Sequence, residues 1–235
     1  MALGLLTPFF FVLHHAKEKG ITKETIWDIF LWIVVGSFIG MRLGYILQFL
    51  KEFLLNPFEI VKIWDGGLTF YGGLIGGILG TVLFKRARKL ANGQFWEILD
   101  LIGLYFPLGI IIARIGCFLI NDHQGVITSL PWGLLWPDGT IRHPVALYLI
   151  LNGAVIFLVL NLLKEKFKKP GRLFLFFLFY YSVSRFFLDF TRSVGTSLSD
   201  PRFNGLTVSQ WISLCLLGTL SFWAFLQKKS KDSLK

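Results

Sequence analysis

The chain has 235 residues, of which 54% are hydrophobic and only 16% charged, with a mean hydropathy of +0.63. This composition excludes a soluble globular domain and points to an all-α polytopic membrane protein built as one helical bundle. The net charge of +10 reads as positive-inside loops rather than as a nucleic-acid surface, so no nucleic-acid partner is expected.

Seven apolar segments follow one another, at about 1–14, 25–47, 67–84, 96–119, 144–163, 173–190 and 206–226. A span needs about 20 residues at 1.5 Å rise. Six segments meet or approach that length. The first is short, at roughly 21 Å, which leaves two readings: its helix begins upstream of Met1, or it is a stub. Every second loop is short and basic: Lys17–Lys23, Lys85–Lys89, Lys164–Arg172 and Lys228–Lys235. These hold 16 of the 24 Lys and Arg; with the 14 acids divided evenly, their side carries +9 and the other side +1. The basic side is predicted to be cytoplasmic, which puts the C-terminus inside and the N-terminus outside. Residues 1–227 read as a single transmembrane domain and 228–235 as a basic cytoplasmic tail.

The opposite loops are longer. Segment 48–66 is amphipathic and interfacial, with Pro57 breaking it. Segment 120–143 contains Pro131, Pro137 and the turn signal Asp138-Gly139, which suits a hairpin. Trp64, Trp132, Trp136 and Trp211 suit the headgroup level. Cys117 and Cys215 sit in predicted spans and form no metal or redox spacing.

The unusual polar residues gather on the less basic side: Arg42, Asp65, Tyr71, Arg114, Asp122, His143, Arg185, Asp189 and Arg192. Arginine in or beside an apolar span is expensive and usually functional. Several at one face suggest a site for a negatively charged, membrane-borne substrate. Gly72, Gly73, Gly76, Gly77 and Gly80 have two readings. One is close helix packing. The other is a helix start, with Tyr71 in its first turn, whose bare N–H groups face a phosphate. Arg114 is either a snorkelling residue or a forked phosphate donor. In the sixth span, residues Tyr181, Arg185, Asp189 and Arg192 fall within about 80° of one another at 100° per residue. An Arg185–Asp189 pair at i,i+4 accounts for part of that stripe, but one carboxylate does not neutralise two arginines. Arg142-His143-Pro144 opens the fifth span; Pro144 suits a helix start, and His143 reads as an orienting residue.

The runs Met41-Arg42-Leu43-Gly44-Tyr45 and Trp64-Asp65-Gly66-Gly67-Leu68-Thr69-Phe70-Tyr71-Gly72-Gly73 come first in order. Arg114-x-Gly116 with Gly125, Arg142-His143-Pro144 with Leu147-Tyr148, and Arg185…Asp189…Arg192 follow. In order and spacing this chain resembles the prolipoprotein diacylglyceryl transferases, as a divergent and N-terminally shortened member. The resemblance covers about residues 1–226. The chain departs from the family at Tyr71, where His is common, at Cys117, where Asn is common, and at Leu149 and Asp189, where Glu is common.

The resemblance implies a seven-helix bacterial inner-membrane enzyme with its site facing the outer leaflet. Such an enzyme moves the sn-1,2-diacylglyceryl group of phosphatidylglycerol onto the lipobox cysteine of a preprolipoprotein, without metal or organic cofactor. Arg114, Arg185, Tyr71 and Asp189 are the expected catalytic residues. Arg114, Arg42, Arg185, Arg192, Gly72 and Gly73 are the expected phosphatidylglycerol contacts. Asp65, Asn121, Asp122, Gly125, His143 and Tyr181 are expected in support. The alternative is a catalytically altered relative that binds anionic lipid or acts in transport, since an arginine cluster holds anionic headgroups without chemistry. A transporter wants polar residues and broken helices at the midplane, and the middle segments here are mainly apolar.

Overall fold

The structure, a computed structural model, describes residues 2–55, 57–62, 69–120, 124–194 and 202–232. It divides into two compact units, Leu13–Ile98, and Met1–Val12 with Leu99–Lys235. Eight helices are formed among the described residues: α1 Ala2–Ala16, α2 Lys23–Gln48, α3 Leu50–Leu55, α4 Phe70–Ala87, α5 Asn92–Leu119, α6 Val145–Leu163, α7 Arg172–Leu188 and α8 Val208–Asp232. Each of the seven apolar segments contains a helix among the described residues, and α3 is the short amphipathic addition. Among the described residues, five stretches are long and apolar enough to cross a membrane: α2, α5, α6, Arg172–Thr191 and Val208–Leu226. The polytopic all-α expectation therefore holds. The stretch expected as a tail from 228 continues α8 as far as Asp232.

In the unit Leu13–Ile98, the Thr22 hydroxyl caps α2 by accepting from the Thr25 N–H at 3.3 Å. Helices α2 and α4 meet along glycine on both sides. A Cβ on Gly36 would lie 2.5 Å from the Gly76 carbonyl oxygen, and one on Gly40 would lie 2.8 Å from the Gly76 Cα. Gly72 and Gly80 face Gly40 and Trp32 main chain equally closely. Small residues at every fourth position let two backbones touch, which is how helices associate where lipid offers no hydrophobic drive. Beyond α2 the chain turns through α3 and a 3₁₀ turn at Pro57–Ile60. Leu54, Leu55 and Phe58 stay exposed there while Phe53 is buried, as an interfacial segment requires.

In the other unit, α1 lies against α5 at Gly4 and Gly109, and Phe11 stacks on Tyr105 with ring centroids 5.3 Å apart. Asp100 of α5 fixes the start of α7. Its Oδ2 accepts from the Gly171 N–H at 2.7 Å and its Oδ1 from the Phe174 N–H at 2.8 Å. A carboxylate at a helix N-terminus satisfies orphan donors and complements the dipole. Helix α8 packs along α7.

Two small hairpins complete this unit. Strands β1 (Leu134–Leu135) and β2 (Ile141–Arg142) pair antiparallel, with Leu134 opposite Arg142. Gly139 supplies the positive φ of their turn, as Asp138-Gly139 predicts. Strands β3 (Arg202–Phe203) and β4 (Leu206–Thr207) are joined by Asn204-Gly205, both at positive φ, the two-residue turn that matches strand twist.

Candidate active site

Helix α7 ends at Leu188, and Asp189–Thr191 forms a 3₁₀ turn. The three charged residues of the expected stripe meet across that change of pitch. Asp189 is fully buried, and Arg185 and Arg192 are nearly so. Arg185 Nη2 stands 3.0 Å from Asp189 Oδ1, and Arg192 Nη1 stands 3.9 Å from the same oxygen. The first contact is close in distance, yet Oδ1 accepts no hydrogen bond among the described residues. It is an ion pair without hydrogen-bond alignment. Arg185 Nη2 also donates to Ser209 Oγ at 3.4 Å. Arg185 Nη1 is buried and has no acceptor among the described residues, and the same holds for Ser182 Oγ one turn earlier. Buried donors left in this state are uncommon and costly.

The start of α8 closes this cluster. The Thr207 hydroxyl donates to Asp189 Oδ2 at 2.6 Å and accepts from the Gln210 N–H at 3.1 Å. Gln210 Oε1 accepts from the Thr207 N–H at 2.9 Å, and its Nε2 donates to the Phe186 carbonyl at 3.1 Å. Thr207-Val208-Ser209-Gln210 is a capping box whose hydroxyl also serves a neighbouring carboxylate.

Residues 124–128 tie the arginines to the loop before α6. Gly125 bridges Arg192 and Ile127 bridges Arg142 in antiparallel fashion. The Ser193 N–H donates to the Gln124 carbonyl, and the His143 N–H to the Val126 carbonyl. A Cβ on Gly125 would lie 2.8 Å from the His143 Cβ, so close backbone approach requires glycine there. His143 Nδ1 lies 3.0 Å from the Tyr148 hydroxyl, which accepts from the Trp132 indole N–H at 2.8 Å. The indole only donates, so the Tyr148 oxygen is its acceptor, and the imidazole tautomer sets which of Tyr148 and His143 donates to the other.

Arg142 supports the hairpin below. It donates to Thr140 Oγ1 at 2.7 Å, to the Gly125 carbonyl at 3.2 Å and to Asp138 Oδ2 at 2.9 Å. The Asp138 carboxyl is lowered to about 2, chiefly by the Thr140 hydroxyl and N–H, with Arg142 adding to them. A folded-state value below the unfolded one stabilises the turn above about pH 4, and the contribution is lost as pH falls towards 2. Protection of the Thr140 amide from hydrogen exchange should follow that course. Asp138→Asn should remove the pH dependence.

Arg114 lies about 33 Å along α5 from Asn92 and is half-buried. Its one side-chain hydrogen bond among the described residues goes to Cys117 Sγ, at 3.8 Å a weak acceptor. No hydrogen bond or ion pair joins it to the Arg185 cluster among those residues. A Cβ on the nearby Gly116 would meet nothing within 4 Å among the described residues, so their packing supplies no reason for glycine at that position. Tyr181 stands one turn before Arg185, its ring 5.9 Å from Phe177.

Arg42, Tyr71, Gly72 and Gly73 belong to the unit Leu13–Ile98. Arg42 donates to the carbonyls of Glu59, Ile60 (3.0 Å) and Lys62 (3.1 Å), so it clamps the segment after α3. Tyr71 is 41% exposed in the first turn of α4. Gly72 packs on Gly40, and a Cβ on Gly73 would lie 2.6 Å from the Met41 side chain, which favours the helix-packing reading of these glycines. Asp65, Asn121 and Asp122 lie outside the described residues. Thr207 and Gln210 are additions to the residues expected from sequence, although Thr-x-x-Gln before an apolar run is a helix-start signature.

The family model described as prolipoprotein diacylglyceryl transferase matches residues 1–225. The chain is 32% identical to the phosphatidylglycerol–prolipoprotein diacylglyceryl transferase of Geobacter sulfurreducens over 231 residues, 90% of this chain and 88% of that relative. It is 36% identical to the protein of the same name from Solidesulfovibrio magneticus over 202 residues, 83% of this chain and 75% of that relative.

Proposed function

The chain belongs to the prolipoprotein diacylglyceryl transferase family, and on that premise we propose that it moves a diacylglyceryl group from phosphatidylglycerol to the lipobox cysteine of preprolipoproteins. The names of its relatives support the two substrates. The observation that carries the chemistry is Arg185, whose buried Nη1 has no acceptor among the described residues while Nη2 pairs with Asp189.

The thiol sulfur attacks the glyceryl carbon that carries the phosphate. The S–C bond forms and the C–O bond breaks. The electron pair leaves on the phosphate oxygen, and the thiol proton ends on the released glycerol phosphate. Arg185 Nη1 donates to that phosphate as its charge grows, and donors preorganised in a low-dielectric site act strongly at this step. Arg114 presents a planar fork on α5, engaged only by the weak acceptor Cys117 among the described residues. Arg192 adds a second positive charge 3.9 Å from the same Asp189 oxygen.

We infer seven crossings of a bacterial inner membrane, with the C-terminus cytoplasmic and the Arg185 cluster near the outer leaflet. The +9 against +1 imbalance supports that orientation. In a background lacking Cys117 and Cys215, a cysteine at Gly139 should react with an impermeant thiol reagent in intact cells. One at Ala87 should not. Equal labelling would overturn the orientation.

Proteoliposomes containing the protein, labelled phosphatidylglycerol and a lipobox peptide test the activity itself. Lipidated peptide is expected, and none when the peptide cysteine is replaced by serine. Saturable binding of the lipid without product would establish an anionic-lipid-binding protein instead.

A further inference from the structure

We propose that Thr207 is a positioning residue for Arg185: its hydroxyl holds Asp189 in a one-oxygen pairing and so keeps Arg185 Nη1 for the substrate phosphate. This role rests on the one proposed above for Arg185 and extends it to α8.

The direction of each hydrogen bond follows from chemistry. Thr207 has one hydroxyl proton, and the two groups beside its oxygen are Asp189 Oδ2 at 2.6 Å and the Gln210 N–H at 3.1 Å. The N–H only donates, so the hydroxyl proton goes to the carboxylate. Asp189 Oδ2 is thereby satisfied away from Arg185, and Oδ1 alone faces the two guanidiniums. Without the hydroxyl, Oδ2 becomes a fully buried charged oxygen lacking a donor. Arg185 Nη1 lies on the guanidinium already paired with Oδ1 and is itself without an acceptor among the described residues. Rotation of the carboxylate then gives the two-bond fork that arginine and carboxylate favour, and Nη1 is consumed.

Gln210 makes this a property of the helix pair rather than of one side chain. Its side chain bonds the Thr207 N–H on one side and the Phe186 carbonyl on the other. The start of α8 is therefore fastened to the last turn of α7, with the Thr207 oxygen held over Asp189.

Thr207 also caps α8, and glycine separates the two roles. Glycine at an N-cap costs only a few tenths of a kcal/mol relative to threonine, but it has no hydroxyl. In the proteoliposome assay, with turnover expressed per folded molecule, Thr207→Gly and Thr207→Val should each fall roughly ten- to a hundredfold. Thr207→Ser should recover activity to within about twofold of the parent. In an Arg185→Lys background, Thr207→Gly should cost nothing further, because the donor it protects is already gone. Full activity of Thr207→Gly with wild-type thermal stability would overturn the proposal and leave Thr207 as a cap. So would an equal further loss in the Arg185→Lys background. Wild-type turnover by Arg185→Lys itself would instead overturn the assignment of Arg185, and Thr207 would lose its role with it.

Discussion

Exchange of Arg185 and Asp189 for one another is expected to abolish transfer while leaving the protein folded. The exchange keeps an oppositely charged pair at i,i+4, and such pairs are worth only a few tenths of a kcal/mol on an exposed helix. Here the pair is buried beside Thr207, where removing one partner costs about 3–5 kcal/mol and preserving both avoids that loss. A pair that served stability alone would tolerate the swap. If Arg185 meets a phosphate, the swap puts a carboxylate in its place, and like charges in a low-dielectric pocket repel strongly. Transfer should drop by at least about 10²–10³, the loss seen when one preorganised donor is removed, and to the level of Arg185→Ala. Transfer rates with thermal unfolding in the same detergent decide between the two. Parental activity in the exchanged protein would make Arg185 and Asp189 a structural pair.

The second large effect lies in the unit Leu13–Ile98, where Gly36, Gly40 and Gly44 of α2 oppose Gly72, Gly76 and Gly80 of α4. A Cβ on Gly76 would meet the Gly36 carbonyl and the Gly40 Cα, both main-chain atoms that no rotamer change moves aside. Gly76→Ile should therefore force the helices apart. Overpacking typically costs about 1–3 kcal/mol and occasionally more, and a backbone-on-backbone contact belongs at the upper end. A sharply lower yield of monodisperse protein and a lower unfolding temperature are expected. Gly116→Ala is the contrast, because its Cβ would meet nothing within 4 Å among the described residues. Replacing an exposed helical glycine should raise stability by up to about 1 kcal/mol. If Gly116→Ala unfolds the protein and Gly76→Ile does not, the glycine contacts between α2 and α4 are wrong.

Much of this architecture is local and therefore readable. Apolar length marks the helices, Asp138-Gly139 marks the first hairpin, and the 3.6-residue repeat places Arg185 and Asp189 on one side of α7. Asn204-Gly205 and Thr207-x-x-Gln210 are equally local signals and mark the second hairpin and the start of α8. They stand outside the family's most visible motifs, so attention to those motifs alone misses them. Other features have no local signature. Asp100 caps α7 across 71 residues of chain, and only the folded packing of α5 against α7 reveals it. The α4 glycines carry two readings in sequence because their partners on α2 lie far upstream, Gly40 being 32 residues before Gly72. Once Gly36 and Gly40 are opposite them, packing accounts for Gly72 and Gly76. Arg42 resembles the other arginines in sequence, but its three carbonyl acceptors make it a clamp on the segment after α3.

At the centre of the proposed chemistry a thiol displaces a phosphate, rather than taking an acyl chain or merely meeting a lipid bound in its site. Mass spectrometry of the lipobox peptide after incubation with phosphatidylglycerol proteoliposomes tests this most directly. The displacement predicts a gain of one diacylglyceryl unit, a linkage that survives hydroxylamine because it is a thioether, and glycerol phosphate released in equal amount. A single acyl chain on a hydroxylamine-labile thioester, or bound phosphatidylglycerol with no change in peptide mass, would contradict it.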